Sequence, residues 1–264
     1  MINFIKGIAI GIATLIPGVS GGTMSLILGI YDDLIHAISS FLKDWKKHIV
    51  LLLQIGLGSL FAFFLFSNII KFVLVKIPME IGFFFLGVIC GGIPLLYKKA
   101  TKSKNSPIDF LYLIVGFTLI LLMSGDVSAA TFTGNSGLVN AAFLTLAGFI
   151  IAVALILPGI SGSFMLLTLG LYDMTIESIS TFYVPFLIPL TIGVLIGTLT
   201  TTKIIEGLLK KHPGKTYMLI LGFVAGSVIS VFPGIPSGAS LITSPIVAII
   251  GFVLIYYMGK KSID

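Results

Sequence analysis

Two short runs of glycine and hydroxyl residues are the parts of this 264-residue sequence best suited to chemistry. Their members are Pro17, Gly18, Ser20, Gly21, Gly22 and Thr23 in the first run, and Pro158, Gly159, Ser161, Gly162 and Ser163 in the second. Proline removes a backbone donor and glycine permits a sharp turn, so each run should break an apolar helix. A glycine-rich turn that opens a new helix directs backbone N–H groups and the positive end of the helix dipole towards one point. Each run therefore predicts an anion-binding turn.

A structural role would produce the same pattern, because a kink with small residues lets helices pack closely. The two runs, however, belong to a longer internal repeat. Residues 11–41 and 152–182 are identical at 15 of 31 positions without a gap, and LGVICG at 86–91 resembles LGFVAG at 221–226. We therefore divide the chain into a first repeat at 1–125, a linker at 126–138 and a second repeat at 139–264. Two equivalent turns favour the anion site over the simple kink.

The composition indicates which elements must position these turns. Hydrophobic residues make up 57% of the chain and charged residues 10%, with a mean hydropathy of +1.16. Soluble domains carry about 25% charged residues, so most of this chain cannot face water. Runs that are apolar on every side predict membrane-spanning helices and not barrel strands. Six candidate spans follow, at 49–69, 79–97, 107–124, 184–202, 216–232 and 245–258.

Lysine placement predicts how the spans are oriented. The chain has 16 lysines and no arginine. With a cytoplasmic N-terminus and one crossing per span, 14 lysines lie inside and only Lys71 and Lys76 outside, as the positive-inside rule requires. The net charge of +6 thus reflects topology and not nucleic-acid binding. Three spans per repeat is an odd number, so the prediction is an all-α polytopic protein of the cytoplasmic membrane, with two inverted repeats that each carry one broken, re-entrant hairpin.

Charge limits the anion that the turns can hold. Inverted repeats place their sites near the bilayer midplane, where the two turns would face each other. Two helix N-termini supply about half a charge each, whereas a phosphate monoester carries about −1.5 to −2. Neither turn contains a lysine. We therefore expect a monoanion, or a ligand that travels with a proton or a monovalent cation. Asp32 and Asp173 are candidate proton relays, although solvated positions at the interface explain them more simply, and Tyr31 and Tyr172 are expected as interfacial anchors.

The sequence resembles a known family at these same residues. IPGVSGGT at 16–23 and LGIYDDLI at 28–35 resemble the bacterial and archaeal polyprenyl-phosphate transporters of the PopT type. The resemblance covers essentially the whole chain and implies return of undecaprenyl phosphate to the cytoplasmic leaflet. The second turn departs from the motif, with Ser163 and Phe164 where the first has Gly22 and Thr23. The resemblance therefore implies that the first turn is the principal phosphate ligand.

Other functions fit the residues less well. A small-anion channel or secondary transporter would use the same turns, and remains the main alternative. An intramembrane protease could use the Gly18–Gly21 segment, but it needs a base beside the serine, and His36 has no counterpart in the second repeat. The arginines of common membrane lipid phosphatases are missing. The three histidines lack metal-ligand spacing, and no nucleotide motif occurs. We expect no enzyme activity and no bound cofactor.

Overall fold

The computed structural model describes residues 1–16, 19–102, 107–123 and 138–263. Pro17 and Gly18 of the first turn, and the predicted linker up to residue 137, lie outside the described residues. The described chain is helical. Its helices are α1 Ile2–Thr14, α2 Gly21–Ile27, α3 Tyr31–Ser39, α4 Phe41–Lys76, α5 Pro78–Thr101, α6 Asp109–Met123, α7 Leu138–Ile156, α8 Gly162–Thr168, α9 Tyr172–Ser180, α10 Val184–Lys211, α11 Pro213–Val231 and α12 Ser240–Ile263.

The helices of the first half recur in the same order in the second half. Helices α2 and α8 have seven residues each, and α3 and α9 have nine. Gly29 and Gly170, 141 positions apart, turn the chain with φ values of 69° and 66°. Ile77 and His212, 135 positions apart, end α4 and α10 with nearly the same backbone angles, and a proline opens the next helix after each. We use these two offsets, 141 for α1–α3 and 135 for α4–α6, to name equivalent residues.

The lengths and surfaces of the helices confirm a polytopic membrane protein. Five helices, α4, α5, α10, α11 and α12, are long and apolar enough to cross a bilayer. They correspond to five of the six predicted spans, and the sixth coincides with α6, which has 15 described residues. Large apolar side chains point outward, for example Phe64 at 81% exposure and Leu122 at 71%. Such a surface suits lipid and not water.

The last helix of each half packs on the other half. Helix α12 lies along α5, and α6 lies along α11. A Cβ added to Gly87 would lie 1.9 Å from the Ala248 carbonyl oxygen, and one at its equivalent Gly222 would lie 2.2 Å from that of Leu113. Glycine allows this backbone approach, which is how helices associate where lipid removes the hydrophobic driving force. The last helix of each half thus packs on the other half, α6 on α11 and α12 on α5. A two-fold axis that relates the repeats would produce this pair of contacts. The inverted orientation in the bilayer stays a prediction.

The helices that follow the broken turns are too short to cross a membrane. Seven residues rise about 10 Å, against about 30 Å of hydrocarbon. Helix α1 packs on α4, and α7 packs in the same way on α10. Gly7 and its equivalent Gly148 lie at these two interfaces, close to the backbone of Ile55 and Leu190. The turns therefore end part-way through the helix bundle, held by the long helices of their own halves.

Glycine packing gives a direct test of the α1–α4 interface. A Cβ at Gly58 would lie 2.2 Å from the Phe4 carbonyl oxygen, whereas one at Gly56 would meet no atom within 4 Å. We expect Gly58→Ala to lower the free energy of unfolding by about 1–3 kcal/mol, because the backbones must separate. Gly56→Ala is the matched control and should be neutral or slightly stabilising. Thermal unfolding in detergent measures both, and equal effects would contradict this packing.

Candidate substrate site at the paired turns

The second turn is built around a glycine that no other residue can replace without strain. Gly159 has φ +90°, and a Cβ there would lie 2.5 Å from the carbonyl oxygen of Phe223 in α11. Ser161 then caps α8, with its hydroxyl 3.5 Å from the Phe164 N–H and 2.8 Å from the Ser163 hydroxyl. Ser163 is exposed and Ser161 is partly exposed. The turn thus presents two neighbouring hydroxyl groups outward from a fixed backbone.

The first turn has the same local design but a different environment. Ser20 caps α2 and accepts a hydrogen bond from the Gly22 N–H at 3.2 Å. The Ser25 hydroxyl donates to the Gly22 carbonyl at 2.7 Å. Ser20 and Thr23 are both buried, and the whole of α2 after Gly22 lies in the core. Ser20 and Thr23 of the first turn are therefore covered by protein, whereas Ser161 and Ser163 of the second turn reach the surface.

Two hydrogen bonds join the first hairpin to the second turn. The Gly159 N–H donates to Thr23 Oγ1 at 2.8 Å in a buried position. The Tyr31 hydroxyl donates to the Ile156 carbonyl at 3.1 Å, at the end of α7. The structure thus brings together residues that are more than 120 positions apart in the sequence. Tyr31 is almost fully buried, so the expectation that it anchors the chain at the membrane interface is wrong.

A cavity of about 420 Å³ lies beside the second turn. It is lined by Ile120, Met123, Gly159, Ile160, Ser161, Ser163, Phe164, Leu167, Ser230 and Val231. Three serines supply hydroxyl groups, and α6, α8 and α11 supply apolar side chains. None of these lining residues is charged. The cavity is therefore amphiphilic, with hydrogen-bond donors at the turn and apolar walls around them.

A much smaller space lies beside the C-terminal part of α2, and no described residue of the first turn lines it. This space of about 10 Å³ is lined by Leu26, Ile27, Gly29, Gly92, Leu95, Leu96, Lys99 and Gly259. Leu26 and Leu96 are the equivalents of Leu167 and Val231 in the open cavity. The sequence favoured the first turn as the principal ligand. In this structure Thr23 bonds to Gly159, and the accessible hydroxyl groups belong to the second turn.

The two equivalent aspartates have different surroundings. Asp32 accepts a hydrogen bond from the Tyr217 hydroxyl at 2.5 Å. It also forms an ion pair with Lys99 Nζ at 3.1 Å. Lys99 Nζ also lies 5.3 Å from the centre of the Tyr217 ring. Asp173 is exposed and forms no ion pair with another described residue. Neither aspartate lines the open cavity, so their proposed role as proton relays has no direct geometric support.

A second polar cluster joins α3 to α10. His36 Nδ1 lies 2.6 Å from Glu206 Oε1, and Lys210 Nζ lies 2.5 Å from the same oxygen. The Ser39 hydroxyl donates to the other Glu206 oxygen. The ring of buried His48 packs edge-on against His36 at 5.1 Å. Among the described residues, no group of three or more His, Cys, Asp or Glu side chains could hold a metal ion.

Sequence reasoning missed the partners of Asp32 and His36. Lys99 and Tyr217 lie on helices that the sequence does not pair with α3, and their equivalents in the other half are Gly234 and Gly82. Glu206 did carry a signal, because it is the single acidic residue of α10. Positions at which the two repeats differ in charge could therefore have pointed to these partners. A comparison restricted to identical positions does not show them.

Comparison with known proteins agrees with the resemblance inferred from the motifs. Residues 10–245 match a family described as undecaprenyl phosphate translocase-like. A polyprenyl-phosphate transporter of Staphylococcus aureus (strain NCTC 8325 / PS 47) is 36% identical over 273 residues, covering 98% of this chain and 96% of the relative. A polyprenyl-phosphate transporter of Vibrio cholerae serotype O1 is 32% identical over 245 residues, covering 88% and 77%. Both relatives are named as transporters and not as enzymes. No solved structure gives a significant match.

The bond between the turns can be tested by removing its acceptor. Thr23→Val should leave the buried Gly159 N–H without a partner and lower the free energy of unfolding by about 1–3 kcal/mol. Thr23→Ser keeps the hydroxyl oxygen and should cost clearly less. Thermal unfolding in detergent separates the two variants. If Ser and Val are equally destabilising, the methyl group and not the hydrogen bond is responsible.

Proposed function

Because the chain belongs to the undecaprenyl phosphate translocase-like family, we propose that it moves a polyprenyl phosphate lipid between the leaflets of the cytoplasmic membrane. The observation that carries this proposal is the amphiphilic cavity beside the second turn. A lipid phosphate has a small polar head on a long apolar tail, and the cavity combines hydroxyl donors with apolar walls. The polyprenyl-phosphate relatives cover most of the chain, which supports the same substrate class.

The proposed phosphate position is at the hydroxyl groups of Ser161, Ser163 and Ser230. Helix α8 has only seven residues, so its dipole is weaker than that of a longer helix, and hydrogen bonds must supply more of the binding. A volume of about 420 Å³ falls within the usual range of about 300–1,000 Å³ for ligand sites. It accommodates a head group and the first part of the tail. The rest of the tail would stay in lipid along the exposed apolar faces.

The uncharged lining restricts the ionisation state of the ligand. A phosphate monoester carries about −1.5 to −2 at neutral pH, and a dianion in an apolar cavity without a cation is costly. The head group would therefore enter as the singly protonated form or together with a monovalent cation. In the protonated case the proton moves on the substrate itself. Asp32 is already paired with Lys99 and would not be needed as a relay.

The topology predicted from the lysines would place the open side of the protein outside. With the N-terminus in the cytoplasm, the loops around 98–104 and 203–215 lie inside. Met123 at the end of α6 and Val231 at the end of α11 then lie towards the outside, and both line the open cavity. The cavity would therefore receive lipid from the outer leaflet. This direction matches the return of carrier lipid that the sequence motifs imply.

Transport can be measured in proteoliposomes that contain polyprenyl phosphate labelled with ³²P. A membrane-impermeant phosphatase added outside hydrolyses only outer-leaflet lipid, so translocation exposes the protected fraction. We expect Ser161→Val and Ser163→Val to slow this exposure by about tenfold or more, because each removes a charge-assisted hydrogen bond of about 1.5–3 kcal/mol.

Thr145→Val is the matched control for these variants. Its hydroxyl bonds back to Ala141 within α7 and does not line the cavity. Unchanged transport in both serine variants would contradict the proposed phosphate position. Absence of lipid transport by the unaltered chain, together with flux of inorganic phosphate or chloride, would favour the small-anion pathway instead.

The charge argument predicts a pH dependence of binding. The second pKa of a phosphate monoester is about 6, so the monoanion fraction falls about tenfold per unit above pH 7. If the cavity takes the monoanion, the affinity for polyprenyl phosphate should fall in proportion to the monoanion fraction between pH 7 and 9. Affinity for its methyl ester, a monoanion throughout, should stay constant. Equal, pH-independent affinities would contradict protonated entry and favour a co-bound cation, which a sodium or potassium titration would then reveal.

A further inference from the structure

The two hairpins are packed unequally although their sequences are equivalent. Helix α3 of the first half packs on α10 of the second half. Its equivalent, α9, makes no comparable contact with α4, which is the equivalent of α10. Helix α2 likewise contacts α7 of the second half. The first hairpin is therefore docked on the other half through α3, and α9 of the second hairpin has no comparable docking contact.

The two cavities show the same inequality. The space beside α2 is about 10 Å³, and the space beside α8 is about 420 Å³. Leu26 of α2 lines the closed space and its equivalent Leu167 of α8 lines the open one. The space beside the hairpin that docks through α3 is therefore much smaller than the one beside α8.

The residues that hold the docked hairpin have complementary equivalents on the undocked one. Glu206 of α10 holds His36 and Ser39 of α3. The equivalent of Glu206 is Lys71 of α4, and the equivalents of His36 and Ser39 are Glu177 and Ser180 of α9. The acid and the base have changed places between the two repeats. A contact between α9 and α4 would therefore again bring opposite charges together.

Both members of this second pair are exposed in the structure. Glu177 and Lys71 form no ion pair with any described residue. Lys71 is also one of only two lysines that the topology places outside, against the positive-inside rule. A partner on α9 would explain why a lysine is found at that position.

We propose that the chain alternates between this structure and a second state in which α9 docks on α4 through an ion pair between Glu177 and Lys71. Docking of α9 closes the cavity beside α8, and α3 leaves α10 so that the cavity beside α2 opens. The proposal rests on the proposed function, since it gives a bound lipid phosphate access to each side in turn. Exposed ion pairs are weak, so each pair biases the equilibrium about two- to five-fold and does not lock it.

Disulfide trapping tests the second state directly. In a Cys90→Ala background, one variant carries Lys71→Cys and Glu177→Cys, and another carries His36→Cys and Glu206→Cys. Oxidation in proteoliposomes should cross-link both pairs, although only the second pair is in contact in the structure. The control variant carries Lys76→Cys and Glu177→Cys, because Lys76 lies about 140° around α4 from Lys71 and should not cross-link. Cross-linking of the His36–Glu206 pair alone would overturn the proposal.

Charge reversal provides a second, independent readout. Glu177→Lys and Lys71→Glu should each slow transport of labelled polyprenyl phosphate by about two- to five-fold, and the double reversal should restore it. No recovery in the double variant, at normal abundance, would contradict the ion pair. Failure of the proposed function looks different, because the Lys71–Glu177 cross-link would then form in a chain that moves no polyprenyl phosphate.

Discussion

The buried hydrogen bond from the Gly159 N–H to Thr23 organises the centre of this molecule. Each broken hairpin places unwound backbone inside a helix bundle, where an unpaired N–H is costly because water is excluded. In the second turn that donor is satisfied by a side chain from the first half. Tyr31 adds a second bond between the halves at the end of α7. The two turns therefore share one polar centre and are not independent sites.

The two turns share this polar centre, but their hydroxyl groups differ in exposure. In the first turn, Ser20 and Thr23 are buried. The second turn keeps its serines at a cavity that combines hydroxyl groups with apolar walls. An amphiphilic ligand is the chemistry that matches such a lining. The polar clusters of Asp32 with Lys99 and of His36 with Glu206 lie on the closed side and stabilise this arrangement.

Much of this architecture is visible in the sequence because it is local or repeated. Apolar runs predicted five of the long helices, and the proline and glycine pattern predicted both turns. The partners of Asp32 and Glu206 could not be predicted, since they depend on which helices of the two halves meet. The accessible turn could not be predicted either. Both repeats carry a similar motif, and the difference in packing lies in contacts outside the motif, such as that of Glu206 with His36.

The central claim is that polyprenyl phosphate binds beside the second turn, and photocrosslinking tests it most directly. A polyprenyl phosphate with a diazirine on its first isoprene unit would be activated in proteoliposomes, and the labelled peptides identified by mass spectrometry. The account predicts labels on residues 159–167 of the second turn and α8, or on Ser230 and Val231, and their loss with excess unlabelled lipid. Labels confined to the outward faces of α4 and α12, unaffected by competitor, would contradict it.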